Sequence, residues 1–451
     1  MTQIVDLEWL SEQITDASVK GIAHVASTLI RDGEIAVGMQ MPAVRELAER
    51  LGVSPATVSA AWAQLKKQKV LAGKGRSGVW VSGNSVMPRP IRFETIGNYG
   101  ENIQASLAMA SPDPALLPDL REAMLAGIVS PQLNSYQREA ISPQLQAAVA
   151  PRWPYPAEAW LATDGGFDAM NLIVQTLVSP GDCVVIEDPT ATRLLDMLDN
   201  IGAEILPLPC DEQGPRADVL AKHLQKSPVM FIYQPRTHSA TGYTVSQRRS
   251  LELARVLANT STIIVEDDGI GDLSRWPVWS LGVHYPERVL HVHSFSKAYG
   301  PDLRLAVLSG TSEMVKRLQA WRNFGVSWTS RILQDAVAWM LNDASTQQRI
   351  KQAKTIYAQR RQQLLAALAQ RGLLLEERDG LSVWIPVESE QYAMITLAAR
   401  GIAVLPGERC SIISRQFIRV SAALLPFAQL DSIADAIVIA TGRDLHISPD
   451  L

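Results

Sequence analysis

The stretch TIIVEDDGIGDLSRWPVWSLGVHYPERVLHVHSFSKAYGPDLRLAV, residues 262–307, decides how most of this chain is read. Its first piece is a short apolar run that ends in three acids, Glu266, Asp267 and Asp268. A second apolar run, VLHVHS (289–294), leads into Ser294, Phe295, Ser296 and Lys297. A third, LAVLSG (305–310), follows Arg304. Short β-rich runs bounded by turn residues are buried strands of an α/β domain. A carboxylate at the carboxyl edge of such a strand faces the crevice where these sheets bind ligands. A lysine just past a strand end can form an imine with an aldehyde. The flanking hydroxyls of Ser294 and Ser296 can bind a nearby phosphate, and Arg304 can pair with the same group.

Working outward, CVVIED (183–188) and VMFIYQ (229–234) are further buried-strand candidates. Helical patterns such as Ala169–Leu177 and Gln247–Ala258 lie between them. The alternation predicts a mainly parallel sheet. Upstream, Thr163-Asp164-Gly165-Gly166-Phe167-Asp168 precedes a helix, where free backbone N–H groups can cradle a phosphate. From about residue 340 a long helix and shorter mixed elements predict a smaller α+β lobe.

The first 83 residues read differently. Between residues 19 and 85 nine bases stand against four acids, a local net of +5, while the whole chain carries −4 and the remainder therefore −9. Apolar residues share one helical face at Ile22, Val25, Ala26, Leu29 and Ile30, again at Val44, Leu47, Ala48 and Leu51, and again at Val58, Trp62 and Leu65. Gly52 suits a left-handed helix end, Ser54 a cap and Pro55 the first helical position, which makes a helix-turn-helix. Its last helix would present Ser54, Ala56, Thr57, Ala60 and Ala61 to a DNA groove. Two β-prone pieces around Gly73-Lys74-Gly75-Arg76-Ser77-Gly78 predict a wing with two bases at its tip. The expected division is 1–83 for this module, 84–100 for a linker and 101–451 for the large domain.

Three scattered cysteines (Cys183, Cys210, Cys410) fit neither a disulfide framework nor a zinc knuckle, and no metal ligand is named. No run is long enough to span a bilayer, and the N-terminus carries no secretory signal. A soluble cytoplasmic protein is the expectation.

MPAVRELAERLGVSPATVSAAWAQLKKQKVLAGKGRSGVWV (41–81) resembles the winged helix of GntR-type regulators. In order, SPDPALLPD, LATDGGFDAM, VVIEDPTATR, SATGY, VEDD, SFSK, DLRLAV, GIAVLPG and FIRVSAAL resemble fold-type-I aminotransferases. More closely, the whole chain resembles the MocR-type regulators that fuse the two. The resemblance implies double-stranded DNA as partner, contacted by Arg45, Ser54 and Thr57, with Lys74 and Arg76 from the wing. It implies pyridoxal 5′-phosphate as cofactor, with Lys297 as its covalent anchor and Asp267 beside its ring nitrogen. Ser294, Ser296, Arg304 and the Gly165/Gly166 backbone would hold the phosphate. Arg419 and Arg193 would bind a small amine or amino-acid effector, and a homodimer is expected. Pro55 replaces a frequent arginine. Ala191 and Gly269 stand where relatives carry an aromatic and a tyrosine, and Ala240-Thr241-Gly242 replaces Pro-Thr-Gly, with His238 beside it. The alternative reading is an active aminotransferase with an accessory DNA-binding module.

Overall fold

Ser54 caps the helix that the sequence predicts: its Oγ accepts from Thr57 N at 3.2 Å and lies 2.9 Å from Thr57 Oγ1. Gly52 before it has φ +66°, so the turn closes in the left-handed region that glycine enters without a steric penalty. The computed structural model describes residues 4–31, 33–67, 70–73, 78–82, 90–94, 102–413 and 416–442. The chain divides into two units, Met1–Arg89 and Pro90–Leu451.

The first unit holds α1 (Leu7–Gln13), α2 (Val19–Arg31), α3 (Val44–Arg50), α4 (Pro55–Lys67), β1 (Leu71–Ala72) and β2 (Trp80–Val81). The strands pair antiparallel, Leu71 opposite Val81, as a wing requires. Lys74 and Arg76 lie outside the described residues. Ile22, Leu47, Val58, Trp62 and Leu65 form the core with Leu10 of α1, a helix the periodicity did not predict. Asp6 caps α1 by accepting from Trp9 N at 2.9 Å. One expectation is corrected: Ala61 does not face outward. It is fully buried, because it falls three residues after Val58 and four before Leu65, on the inward stripe of α4.

The second unit runs α5 (Ile91–Glu94), β3 (Ala105–Ser106), α6 (Arg121–Ile128), α7 (Pro143–Val149), β4 (Ala159–Thr163), α8 (Gly166–Leu177), β5 (Cys183–Asp188), α9 (Thr192–Ile201), β6 (Glu204–Asp211), β7 (Gly214–Pro215), α10 (Ala217–His223), β8 (Met230–Tyr233) and α11 (Gln247–Leu257). It continues with β9 (Ile263–Asp268), β10 (Val289–Ser294), β11 (Ala306–Gly310), α12 (Ser312–Arg322), α13 (Arg331–Asn342), α14 (Ala344–Ala369), β12 (Ser382–Pro386), α15 (Glu390–Ala398), β13 (Ile402–Ala403), β14 (Leu405–Pro406), β15 (Phe417–Ser421) and α16 (Leu430–Ala440).

The main sheet has the order β4-β11-β10-β9-β8-β5-β6-β7. Strands β10, β9, β8, β5 and β6 are parallel. β11 runs antiparallel to both β10 and β4. All five strands read from the sequence are present, while β4 and β6 were not anticipated. Strands β5, β8, β9 and β10 are buried on both faces, which is why they read as continuous apolar runs, whereas β6 is largely half-buried.

A three-stranded sheet, β12-β15-β14, builds the smaller lobe with α15, α16 and the far end of α14. β3 joins it by pairing with β13, Ala105 opposite Ile402. The chain therefore touches α9 of the large lobe at α5 and then the small lobe at β3 before it builds the main sheet.

α6 and α13 cross at a glycine. A Cβ on Gly127 would stand 2.3 Å from the carbonyl oxygen of Ile332. Gly127→Ala should destabilise the larger unit by about 1–3 kcal/mol, as overpacking does. A denaturant midpoint unchanged from the parent would show that the two backbones do not meet there.

Candidate functional site

The site is built where the carboxyl ends of β9 and β10 meet the start of α8. Gly165 has φ +103°, and a Cβ there would come 3.0 Å from Arg304 Nη2. A Cβ on Gly166 would come 3.3 Å from Ser294 Cβ. The two glycines thus let the first turn of α8, with its unpaired N–H groups, close on Ser294 and Arg304. Arg304 donates to the Asp164 carbonyl at 2.8 Å. Ser296 N lies 3.4 Å from Ser294 Oγ. These five residues form one cradle suited to a dianionic phosphate.

Lys297 follows on the loop after β10, with Nζ donating to the Ala110 carbonyl. Burial pushes its amine down to about 8, and the positive charges of Arg419 and Arg193 add to that. Arg419, on β15, donates to the Ala108 carbonyl at 2.9 Å, and its Nε is buried without a hydrogen bond. Arg193, in the first turn of α9, lays its guanidinium over the Phe93 ring at 3.6 Å from the centroid, with Phe167 at 4.9 Å. Burial and the charge of Arg304 lower its pKa.

Successive side chains of a strand point to opposite faces. On β9 this separates Asp267 from Glu266 and Asp268. Asp268 takes the two donors of Arg236 at 2.7 and 2.6 Å and His293 Nδ1 at 2.7 Å. Those cations hold it below the usual carboxylate range despite its burial. Asp267 is buried too, yet among the described residues it accepts no hydrogen bond. Burial first, and the charge of Asp268 second, push its carboxyl up to about 7.

The departures also have a geometry. Ala191 caps α9 without a side-chain bond. Gly269 brings only its backbone to Asp267, and a Cβ there would lie 3.4 Å from Asp267 Oδ1. His238 Nδ1 accepts from the N–H groups of Ala240 and Thr241 at 3.2 and 3.1 Å. Its Nε2 is buried 3.8 Å from Glu187 Oε2. Desolvation, with Arg419, lowers that imidazole to about 4. Glu187, Arg236, His293 and Phe93 were not singled out from the sequence. Their only signal is position beside a motif, and the sheet pairing is what brings them in. In the first unit Arg45 is exposed and Thr57 half-buried beside Ser54.

Residues 20–81 match the family of bacterial regulatory proteins of the gntR type, and residues 105–437 match aminotransferase class I and II. Over 411 residues the chain is 31% identical to the vitamin B6 salvage pathway transcriptional repressor PtsJ of Salmonella typhimurium, covering 89% of this chain and 94% of that one. It is 26% identical to the HTH-type transcriptional regulator TauR of Rhodobacter capsulatus, covering 84% and 86%. Kynurenine aminotransferase of Pyrococcus horikoshii superposes with a TM-score of 0.70 at 19% identity, covering 80% of this chain and 95% of that one. LysN of Thermus thermophilus gives 0.68 at 22%, covering 80% and 96%.

The chain belongs to the MocR-type family, in which a GntR-type helix-turn-helix is fused to a class I and II aminotransferase domain. It is a DNA-binding transcription regulator by that membership, and pyridoxal 5′-phosphate is the cofactor of its large domain. The residues fit this group. The glycine-lined cradle matches a phosphate, the unpartnered Asp267 matches a protonated pyridine nitrogen, and the desolvated Lys297 amine matches an aldehyde. When bound, the cofactor supplies an electrophilic carbon and a ring that draws electrons.

Only the neutral amine adds to an aldehyde. Loading of the protein with pyridoxal phosphate, followed by visible absorbance, should therefore accelerate as pH rises through about 8. Arg193→Gln removes a positive charge and should move that midpoint upward. A midpoint near that of a free lysine would refute the desolvated amine.

Proposed function

We propose that the protein senses a small amine or amino acid at Lys297 and converts its binding into a change in operator affinity. The observation that carries this reading is the convergence of one desolvated lysine and two arginines on a single cradle. In this reading Lys297 anchors the cofactor. Asp267 holds a proton on its ring nitrogen, and Gly165, Gly166, Ser294, Ser296 and Arg304 hold its phosphate. Arg419 takes the effector carboxylate, since its buried Nε has no other bond. Arg193 can serve as a second anion partner only by leaving or adjusting its stack on Phe93. Phe93 N donates to Asp196 at 3.1 Å and Arg92 pairs with Asp196 at 3.4 Å and with Asp199, so α9 holds the short segment Ile91–Glu94. That segment starts just after the first unit ends at Arg89. A ligand that moves Arg193 thereby acts on the chain that leads to the DNA-binding module. Such coupling requires the effector to favour one of two states.

On the DNA side we assign Arg45 to the phosphate backbone and Ser54 and Thr57 to the groove, with Lys74 and Arg76 in the wing. Two copies are needed to read paired half-sites. In support of a homodimer, Val129, Tyr136, Phe324 and Val326 are large apolar side chains each more than half exposed. Transaminase turnover is expected to be slow, because neither Ala191 nor Gly269 offers the cofactor a ring to stack on or a phenol to bond. The name of the Salmonella relative favours a second reading, in which pyridoxal phosphate is itself the effector.

Operator binding by fluorescence anisotropy separates these readings. DNA selected by the protein from a genomic library would be titrated with cofactor-free protein, loaded protein, and loaded protein plus amines. A change on loading alone supports the second reading, and a change only on adding an amine supports the first. No change in either case, with steady turnover of amino and 2-oxo acids, returns the protein to the aminotransferases. Lys297→Ala should lose the visible band and any cofactor-dependent change, yet keep the DNA affinity of the cofactor-free protein. Phe93→Ala should keep the band and weaken the coupling. Arg45→Ala should lose about 1 kcal/mol of DNA binding and flatten its salt dependence.

A further inference from the structure

On the face of β9 and β10 opposite Asp267, a cavity of about 320 Å³ is lined by His291, His293, Asp268, Asp272, Arg236 and Trp153, among others. His291 and His293 are two apart on β10, so both rings emerge on the same face. Register places Glu266 beside His291 and Asp268 beside His293. Each imidazole is held by its neighbour's carboxylate: His291 Nδ1 lies 2.7 Å from Glu266 Oε2, and His293 Nδ1 lies 2.7 Å from Asp268 Oδ2. Glu266 also accepts from Tyr233 Oη, Ser280 Oγ and Leu281 N, so it is fixed as an acceptor and His291 Nδ1 is the donor. The other ring nitrogen, His291 Nε2, is buried and makes no hydrogen bond among the described residues, in a residue 1% exposed.

We propose that this face carries a divalent transition-metal site whose protein ligands are His291, His293 and Asp268. One ligand atom from each lies within 4.8 Å of the others. A carboxylate on the far nitrogen of a ligating histidine is the usual outer partner of such a metal, because it sets the tautomer and strengthens the donor. His291 has one in Glu266. His293 would ligate through Nδ1, the metal taking the place of the proton shared with Asp268 Oδ2, and Asp272 Oδ2, 3.7 Å from Nε2, is then the carboxylate beside its far nitrogen.

Three carboxylates and one guanidinium touch the two rings, the guanidinium through Arg236 Nη2 at 3.5 Å from His293 Nδ1. With both imidazoles unprotonated this leaves a surplus of two negative charges, which matches one divalent cation that displaces the proton on His293. Two imidazoles with carboxylate oxygen suit zinc and its neighbours better than calcium or magnesium. A tetrahedral zinc site with 2.0–2.1 Å bonds has edges of roughly 3.4 Å, so binding requires the side chains to adjust within the 4.8 Å that spans them. Trp153, edge-on to both rings at 5.0 and 6.1 Å, limits how far they can turn.

The test uses the full chain and Zn²⁺, titrated in competition with a chromophoric chelator, followed by X-ray absorption. One zinc per chain with two imidazole ligands and no sulfur is expected. His291→Asn keeps a donor for Glu266 and removes Nε2, and it should weaken binding by at least about tenfold. Absence of binding, a sulfur-containing shell from the cysteines, or His291→Asn binding zinc as well as the parent would each overturn the proposal. The absorption result stands on the parent protein alone, so a poorly folding variant does not leave the question open.

Discussion

Three consecutive carboxylates at the end of one buried parallel strand are the constraint on which this structure turns. Burial of an ionised carboxylate without partners is prohibitive, so each acid must be satisfied, neutralised or matched to a ligand. Strand alternation divides the work. Glu266 and Asp268 point to one face and are satisfied by His291, Tyr233, Ser280, Arg236 and His293. Asp267 points to the other and accepts no hydrogen bond among the described residues, so burial raises its pKa.

The cradle obeys a similar logic. Gly165 and Gly166 bring the start of α8 against Ser294 and Arg304, so helix amides, hydroxyls and a guanidinium converge on a space suited to a phosphate. Burial, and after it the charge of Arg419, depresses both the Lys297 amine and the His238 imidazole. In the proposed reading the same arginines that add to this shift attract a carboxylate. What the pocket lacks is equally physical. With Ala191 and Gly269 in place of rings, the cofactor loses stacking and a phenol bond, while the lysine, aspartate and arginine remain. That balance suits binding better than turnover.

Much of this was legible in the chain. The five strands read from apolar runs are present because their burial leaves a continuous apolar run in the sequence. The capped turn at Ser54 and the paired strands of the wing are present because they rest on contacts close in sequence. α1 was missed because its stability comes from docking Leu10 rather than from periodicity. Ala61 was misplaced because small residues sit equally well on either face of a helix, and only packing against Val58 and Leu65 decides.

The sequence by itself determined the local chemistry: which residue types occur, in which order, and with which caps and turns. This was enough for the two modules and for expecting Lys297, Asp267 and the glycine turn near one crevice. Only the tertiary structure decided what each side chain faces. It set Arg193 on Phe93, left Asp267 unpartnered and aligned His291 and His293 with Glu266 and Asp268. Those relations depend on strand register and on residues up to a hundred positions apart, such as Arg193 and Phe93. Sequence spacing carries no record of such distances, because the chain closes them only when the sheet forms.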